Sequence, residues 1–415
     1  MSFNDWNKVK LKDITTKIGS GSTPRGGSSA YKKEGIPFIR SQNIYNCNFS
    51  KEGLVFIDDE QAKKLSNVKI DKDDILLNIT GDSVARCTKV PPEYIGGYVN
   101  QHVSILRANK EELESSYLKY YLINPITQKL MLSLAQSGGT RAALTKGMIE
   151  NLDIILPSID EQRAIANILL PLDDKIEVNN KTNQKLEEIA QVIFKQWFID
   201  FNFPNEEGKP YKSSGGEMVE SELGMIPEGW EVLTLEDIFI FKKGKKPKEI
   251  VEIKESEDYL KYLTIDVLNR NSNLYTRGEK LVECNDNDIL MVMDGASSGT
   301  IYTGMSGIVG STLAKLETKN NIIKPLIYQY LKFRQNDIRS HLTGSAIPHA
   351  DKKYIHLQQI ALPIDVRALE RLIRVLDINM KKIKINNEEN YKLKDVRDSL
   401  LPKLMSGEIR VPVEN

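Results

Sequence analysis

The segment Asn179-Asn180-Lys181-Thr182-Asn183-Gln184-Lys185-Leu186-Glu187-Glu188-Ile189 returns as Asn386-Asn387-Glu388-Glu389-Asn390-Tyr391-Lys392-Leu393-Lys394-Asp395-Val396, in an ungapped register of 207 residues (386 − 179). The Asn-Asn pairs, Asn183/Asn390, Lys185/Lys392 and Leu186/Leu393 are identical, while Glu188/Asp395 and Ile189/Val396 keep their chemistry. A repeat of so long a period constrains the fold more than any local motif, because it demands two similar units in one polypeptide. It predicts a pseudo-two-fold molecule suited to a partner that is itself two-fold or bipartite.

The order of features within each half agrees. Trp6 and Leu11-Lys12-Asp13-Ile14 parallel Trp230 and Leu235-Glu236-Asp237-Ile238. Glycine-bearing segments follow, at Gly19-Ser20-Gly21-Ser22-Thr23-Pro24 and Gly244-Lys245-Lys246-Pro247, and then Asp73–Gly81 parallels Asn287–Gly295. Ser137-Gly138-Gly139-Thr140 answers Thr343-Gly344-Ser345-Ala346, and Leu156-Pro157 and Leu362-Pro363 close the globular stretches. Between Gly21 and Asp73 the halves barely align, so a repeated framework carries varied content.

Short apolar runs such as Ile36-Pro37-Phe38-Ile39 and Ile75-Leu76-Leu77, separated by turn residues, predict mixed α/β units. A helix is expected over Ser116–Ser133, kinked or split at Pro125. Ile165, Leu169, Leu172, Ile176, Asn179, Asn183, Leu186, Ala190, Ile193 and Trp197 advance in steps of four and three, a heptad seam with Pro171 on a neighbouring face. A second seam runs through Leu369, Leu372, Leu376, Met380, Ile383, Asn387, Leu393, Val396, Leu400 and Leu404. Ile168, Val192, Phe194 and Phe198 fall off the first seam and require cover. The expected layout is a first α/β domain at 1–157, a long helix at 158–200, a linker at 201–229, a second α/β domain at 230–363, and a second long helix with a tail at 364–415.

At 415 residues the chain fits two or three domains. It lacks a run of eighteen apolar residues, so no membrane span is expected, and the start Met1-Ser2-Phe3-Asn4-Asp5-Trp6 does not read as a signal peptide. Cys47, Cys87 and Cys284 are odd in number and widely spaced, which fits a reducing cytoplasm rather than a disulfide framework or metal site. Net charge is zero, which argues mildly against a free-standing DNA binder. The charge is unevenly spread, however. Lys242, Lys243, Lys245, Lys246 and Lys248 crowd one glycine turn, and Glu206, Glu207, Glu217, Glu220 and Glu222 lie in the linker.

Catalytic signatures are missing. The chain has neither a phosphate loop nor a dinucleotide fingerprint, and its four histidines lack metal-ligand spacing. Pro91-Pro92-Glu93-Tyr94 lacks the leading Asn or Asp of an amino-methyltransferase site, and no Pro-Asp dipeptide opens a nuclease carboxylate motif.

Three stretches carry a family resemblance. They are Leu156-Pro157…Glu161-Gln162-Arg163…Leu172-Asp173…Ile176, Gly224…Ile226-Pro227-Glu228-Gly229-Trp230, and Leu400-Leu401-Pro402-Lys403-Leu404-Met405-Ser406-Gly407-Glu408-Ile409. With the two-unit layout, they resemble the specificity subunits of type I restriction–modification systems over essentially the whole chain. Asp365-Val366-Arg367 departs from the family's Glu-Gln-Arg at the second helix start. The resemblance implies two α/β target-recognition domains separated by two long antiparallel coiled-coil helices that act as a ruler. It implies a non-catalytic, cytoplasmic subunit that holds no cofactor of its own and reads a bipartite asymmetric site in double-stranded DNA. It further implies two docked adenine-methyltransferase subunits that use S-adenosylmethionine. Nuclease/translocase subunits, with their Mg and ATP, can join them.

With DNA as the expected partner, the candidate contacts are Arg25, Lys243, Lys245 and Lys246 at the glycine turns, for phosphates. Arg40, Gln42, Asn43, Asn100, Gln101 and His102 carry the side chains that pair with base edges. Thr140, Arg141, Ser345 and His349 belong to the later polar loops. A coiled-coil scaffold without DNA readout is the alternative, supported by the neutral charge.

Overall fold

The computed structural model describes residues 6–137, 142–344 and 346–412. The chain divides into two compact units: Met1–Val178 with Glu389–Asn415, and Asn179–Glu388. The first unit is discontinuous in sequence, and each long helix contributes to both units.

The first unit is built on an antiparallel sheet in the order Thr15–Ser20, Val103–Ala108, Ile75–Asn78, Cys87–Lys89. Ile75, Leu76 and Leu77 are all buried because the sheet has a core on each face. Ile75, Leu77 and Leu106 join one cluster, and Leu76, Val103 and Ile105 the other. A strand covered on both sides reads as a continuous apolar run rather than an alternating one. The second cluster is roofed by Val55–Ile57, Ile36–Ile39 and Tyr98–Val99, the last two parallel. Two helices, Ser115–Ile123 and Pro125–Gln136, replace the single expected one. Asn124 ends the first and caps the second by accepting from the Ile126 amide, with Pro125 in the first helical turn, where no amide is needed.

The second unit repeats this plan. Its sheet runs Phe239–Lys243, Leu313–Thr318, Ile289–Val292, Ile301–Tyr302. Ile289, Met291 and Leu316 face one core, and Leu290, Val292 and Leu313 the other. The repeated acid before the central strand has one role in both units. Asp74 accepts from the Asp71 amide at 2.7 Å and holds Arg107 by two bonds at 2.8 and 2.9 Å. Asp288 accepts from the Asn285 amide at 2.9 Å and binds Lys324 at 2.7 Å.

The first long helix spans Ile159–Phe198 and runs through Pro171. The second spans Glu370–Ser406, entered through a 3₁₀ turn at Val366–Leu369. Gln162 explains the difference between the two starts. Its buried amide accepts from Glu114 N and donates to the Glu112 and Pro157 carbonyls at 2.9–3.0 Å, which clamps the first helix to its domain. Val366 stands in the corresponding motif and has no amide to do so. Within each unit the helix segments pair antiparallel. Asp173 meets Arg397 and Lys175 meets Glu389 in the first, and Asn183 exchanges amide bonds with Asn386 and Asn387 in the second.

Two expectations are corrected. Phe194 and Phe198 are buried in the second unit's core: Phe194 packs on Tyr330 and Phe333, and Phe198 on Trp230. The linker 201–229 is folded. Its Phe201 and Phe203 pack on Trp230, and it carries a hairpin of Met218–Ser221 and Gly224–Pro227. The C-terminal segment treats Trp6 similarly. A Cβ on Gly407 would lie 3.3 Å from its ring, Arg410 stacks over it, and Arg410 and the indole N–H both bind Glu161 at 3.0 Å. Cys47 and Cys87 lie side by side, the Cys47 amide donating to the Cys87 carbonyl at 3.3 Å. All three cysteines are free thiols. No helix among the described residues is long and apolar enough to cross a membrane, and none of the described His, Cys, Asp or Glu residues cluster as metal ligands.

Candidate nucleic-acid interface

Both glycine turns are explained by close approach. The Gly21 amide donates to the Val103 carbonyl at 2.8 Å, and a Cβ there would lie 2.1 Å from the Val99 oxygen. In the second unit the Gly244 amide donates to Leu313 at 3.0 Å, and a Cβ would lie 2.2 Å from the Val309 and Gly310 oxygens. Only glycine lets the turn press against the end of the neighbouring strand.

That approach assembles a polar row in the first unit. The Thr23 hydroxyl hydrogen-bonds the Gln101 side-chain oxygen. Gln101 Nε2 lies 3.1 Å from His102 Nε2, and His102 Nδ1 lies 2.6 Å from Thr80 Oγ1, both within hydrogen-bond reach. The buried Asn100 side chain holds the bend by accepting from the His102 amide at 3.2 Å. Ile39 and Val99 end a parallel strand pair, and the Asn100 amide donates to the Ile39 carbonyl at 3.0 Å. Arg40-Ser41-Gln42-Asn43 and Asn100-Gln101-His102 therefore leave the same strand ends.

Within the Arg40 loop, neighbours have different fates. Arg40 lies over the Tyr31 ring and donates Nη2 to the Gly53 carbonyl at 2.5 Å, and the exposed Gln42 leans on the same carbonyl at 3.4 Å. Asn43 is fully buried. Its oxygen accepts from the Arg40 amide, and its NH₂ donates to the Ser50 and Glu52 carbonyls. Asn43 and Asn100 thus shape the loops from inside, a correction to their placement among base-edge contacts: a side chain enclosed by its own backbone presents no edge to DNA.

The same scaffold carries different chemistry in the second unit. Asp294 bridges to His349 as Thr80 bridges to Ala143, and the Gly295 and Gly81 amides donate to the Pro348 and Ala142 carbonyls. The Asp294 carboxylate gathers His349 Nδ1 at 2.7 Å and Lys243 Nζ at 2.9 Å. Burial pushes its pKa up, but Lys243 and His349 more than offset this and hold it below the ordinary value. Lys243 is thereby tethered. Arg25, Lys245 and Lys246 are exposed and form no ion pair among the described residues. Thr140, Arg141 and Ser345 lie outside the described residues. Thr80 and Asp294 join these clusters without having been singled out in the sequence. The signal was the glycine repeated after each central strand, in Ile79-Thr80-Gly81 and Met293-Asp294-Gly295.

A family model described as "Type I restriction modification DNA specificity domain" matches residues 4–188 and again 227–395. The MjaIX type I restriction enzyme specificity subunit of Methanocaldococcus jannaschii is 28% identical over 98% of this chain and 94% of its own length. The MjaVIII specificity subunit of the same organism is 39% identical over 33% of each chain. The crystal structure of a type I restriction-modification S subunit from M. genitalium superposes with a TM-score of 0.61 at 19% identity, covering 97% of this chain and 98% of that one. At that identity the likeness concerns the fold.

Proposed function

Because the chain belongs to the family of type I restriction–modification DNA specificity proteins, whose members are non-catalytic recognition components, we propose that each of its units reads one half of a bipartite, asymmetric site in double-stranded DNA. The observation that carries this reading is one scaffold holding two chemistries at one place: the hydroxyl–amide–imidazole row Thr23–Gln101–His102–Thr80, and the ion-paired cluster Lys243–Asp294–His349. Two identical readers would suit a palindrome, whereas two different readers suit unlike half-sites. In this reading Gln101, His102, Arg40 and Gln42 face bases in the first half-site, and His349 does so in the second. Arg25, Lys245 and Lys246 meet phosphates, and Thr140, Arg141 and Ser345 are further candidate contacts.

Two adenine-methyltransferase subunits dock on the long helices and bring S-adenosylmethionine; two nuclease/translocase subunits bring Mg and ATP when present. Ile168, Ile189, Val192, Ile378, Ile385 and Val396 remain exposed on those helices and give such partners an apolar footing. The test is to map methylated adenines in cells expressing this chain with its methyltransferase. A single bipartite motif with unlike halves is expected. Methylation without a motif would favour a scaffold that does not read sequence.

A further inference from the structure

The 207-residue register breaks at a buried charge cluster in the first unit. In the first unit Asp173, on the first long helix, binds Arg397 on the second at 2.8 Å, together with Lys119 at 2.8 Å and the Tyr120 hydroxyl at 2.7 Å. All three charged side chains are largely enclosed. The register carries Asp173 to Met380 (173 + 207) and Arg397 to Ala190 (397 − 207). Ala190 lies in the apolar core of the second unit, and the partly buried Met380 packs against it. Tyr121 and Tyr330 each donate to the strand that closes their domain, at Asp153 and Gln359. Tyr328 therefore stands where Lys119 does, two residues earlier, and it too is buried. One unit closes its helix pair with charge, and the other closes the equivalent place with methyl groups and a ring.

The remaining polar marks on the seam are alike on both helices. Asn179/Asn386 and Asn183/Asn390 are register equivalents, so the asparagines fix how far the helices slide but not which helix is the partner. A first long helix paired with the same helix of a second copy would still set asparagine against asparagine. It would also set Asp173 and Lys119 against Ala190, and the corresponding pair of second helices would set Arg397 against Met380. The first-helix contact would leave Asp173 with Lys119 alone, and the second-helix contact would leave the enclosed Arg397 without Asp173, which disfavours that pairing.

We propose that Asp173, Arg397 and Lys119 make the long helices pair only with each other, and exclude a second copy of this chain as the partner. Two full-length variants test this by restoring equivalence in opposite ways. Asp173→Met/Arg397→Ala/Lys119→Tyr gives the first unit the chemistry of the second. Met380→Asp/Ala190→Arg gives the second unit a charged pair. Each is refolded from denaturant over a range of chain concentrations, and species are sorted by native mass. Cross-links between isotopically labelled and unlabelled copies of residues 159–198 identify like-with-like pairing. Wild type is expected to stay monomeric, and either folded variant to give at least about tenfold more cross-linked dimer. Folded variants as monomeric as wild type would overturn the proposal. So would failure of both to fold, because it requires the second unit's own residues to suffice at these positions. If one variant folds, it decides.

Discussion

Asn43 and Gln101 are both loop amides, and the sequence treats them alike. The structure separates them by what surrounds the amide: Asn43 is enclosed by the Ser50 and Glu52 carbonyls, whereas Gln101 is exposed beside Thr23 and His102. Their substitutions should therefore diverge. Asn43→Ala leaves buried backbone groups unpaired and is expected to destabilise the first unit by about 1–3 kcal/mol, while methylation of the surviving protein keeps its motif. Gln101→Ala should leave the melting temperature near wild type and weaken methylation at sites sharing the first half-motif by about 1–3 kcal/mol per lost base contact. Calorimetry and methylome depth read the two effects separately. Lys245, exposed and outside any ion pair among the described residues, represents a third class. Lys245→Ala should weaken binding to every sequence alike and lower the magnitude of the salt-dependence slope by about one, read from binding isotherms at several salt concentrations. Lys243 differs because Asp294 already holds it at 2.9 Å, a tether invisible in a run of lysines.

Element by element, legibility followed the distance over which the determining contacts act. Local chemistry was readable: the heptad steps and the break at Pro125 depend on near neighbours. The cover over Phe194 and Phe198 was not, because it comes from Tyr330, Phe333 and Trp230, more than thirty residues away or in another element. The linker was misread for a similar reason. Its glycines, serines and glutamates suggest loose chain, but Phe201 and Phe203 had a ring waiting at Trp230. Asp173 gives this scale its own prediction. Burial pushes its carboxyl up, but Lys119 and Arg397 together hold it below the ordinary 3.8. A depressed folded-state value means its stabilisation is fully present above the ordinary range and is lost as pH falls below 3.8 through the depressed value. Thermal melts should show the first unit weakening in that acid window, and Asp173→Asn should remove this part of the dependence. Arg397→Ala should destabilise the first unit at neutral pH by less than the roughly 3–5 kcal/mol of a wholly stranded buried charge, because Lys119 still pairs with Asp173.

For the molecule as a whole, the long repeat was the most legible feature, and the polar clusters were the least. The repeat announces two units, yet the structure closes each with a segment from the other half of the chain, so 1–178 needs 389–415 for its core. If the helices set the half-site spacing, a heptad inserted after Asn183 and matched after Asn390 adds about 10 Å. That is about three base pairs at roughly 3.4 Å each, so the motif should gain that many unspecified positions with both halves unchanged. The central claim is that one framework carries two independent readers. It is tested most directly by replacing residues 230–362 with the corresponding stretch of a relative and sequencing the methylome. One half of the motif should change while the other half and the spacer stay as they were. A swap that altered both halves, or neither, would contradict the account.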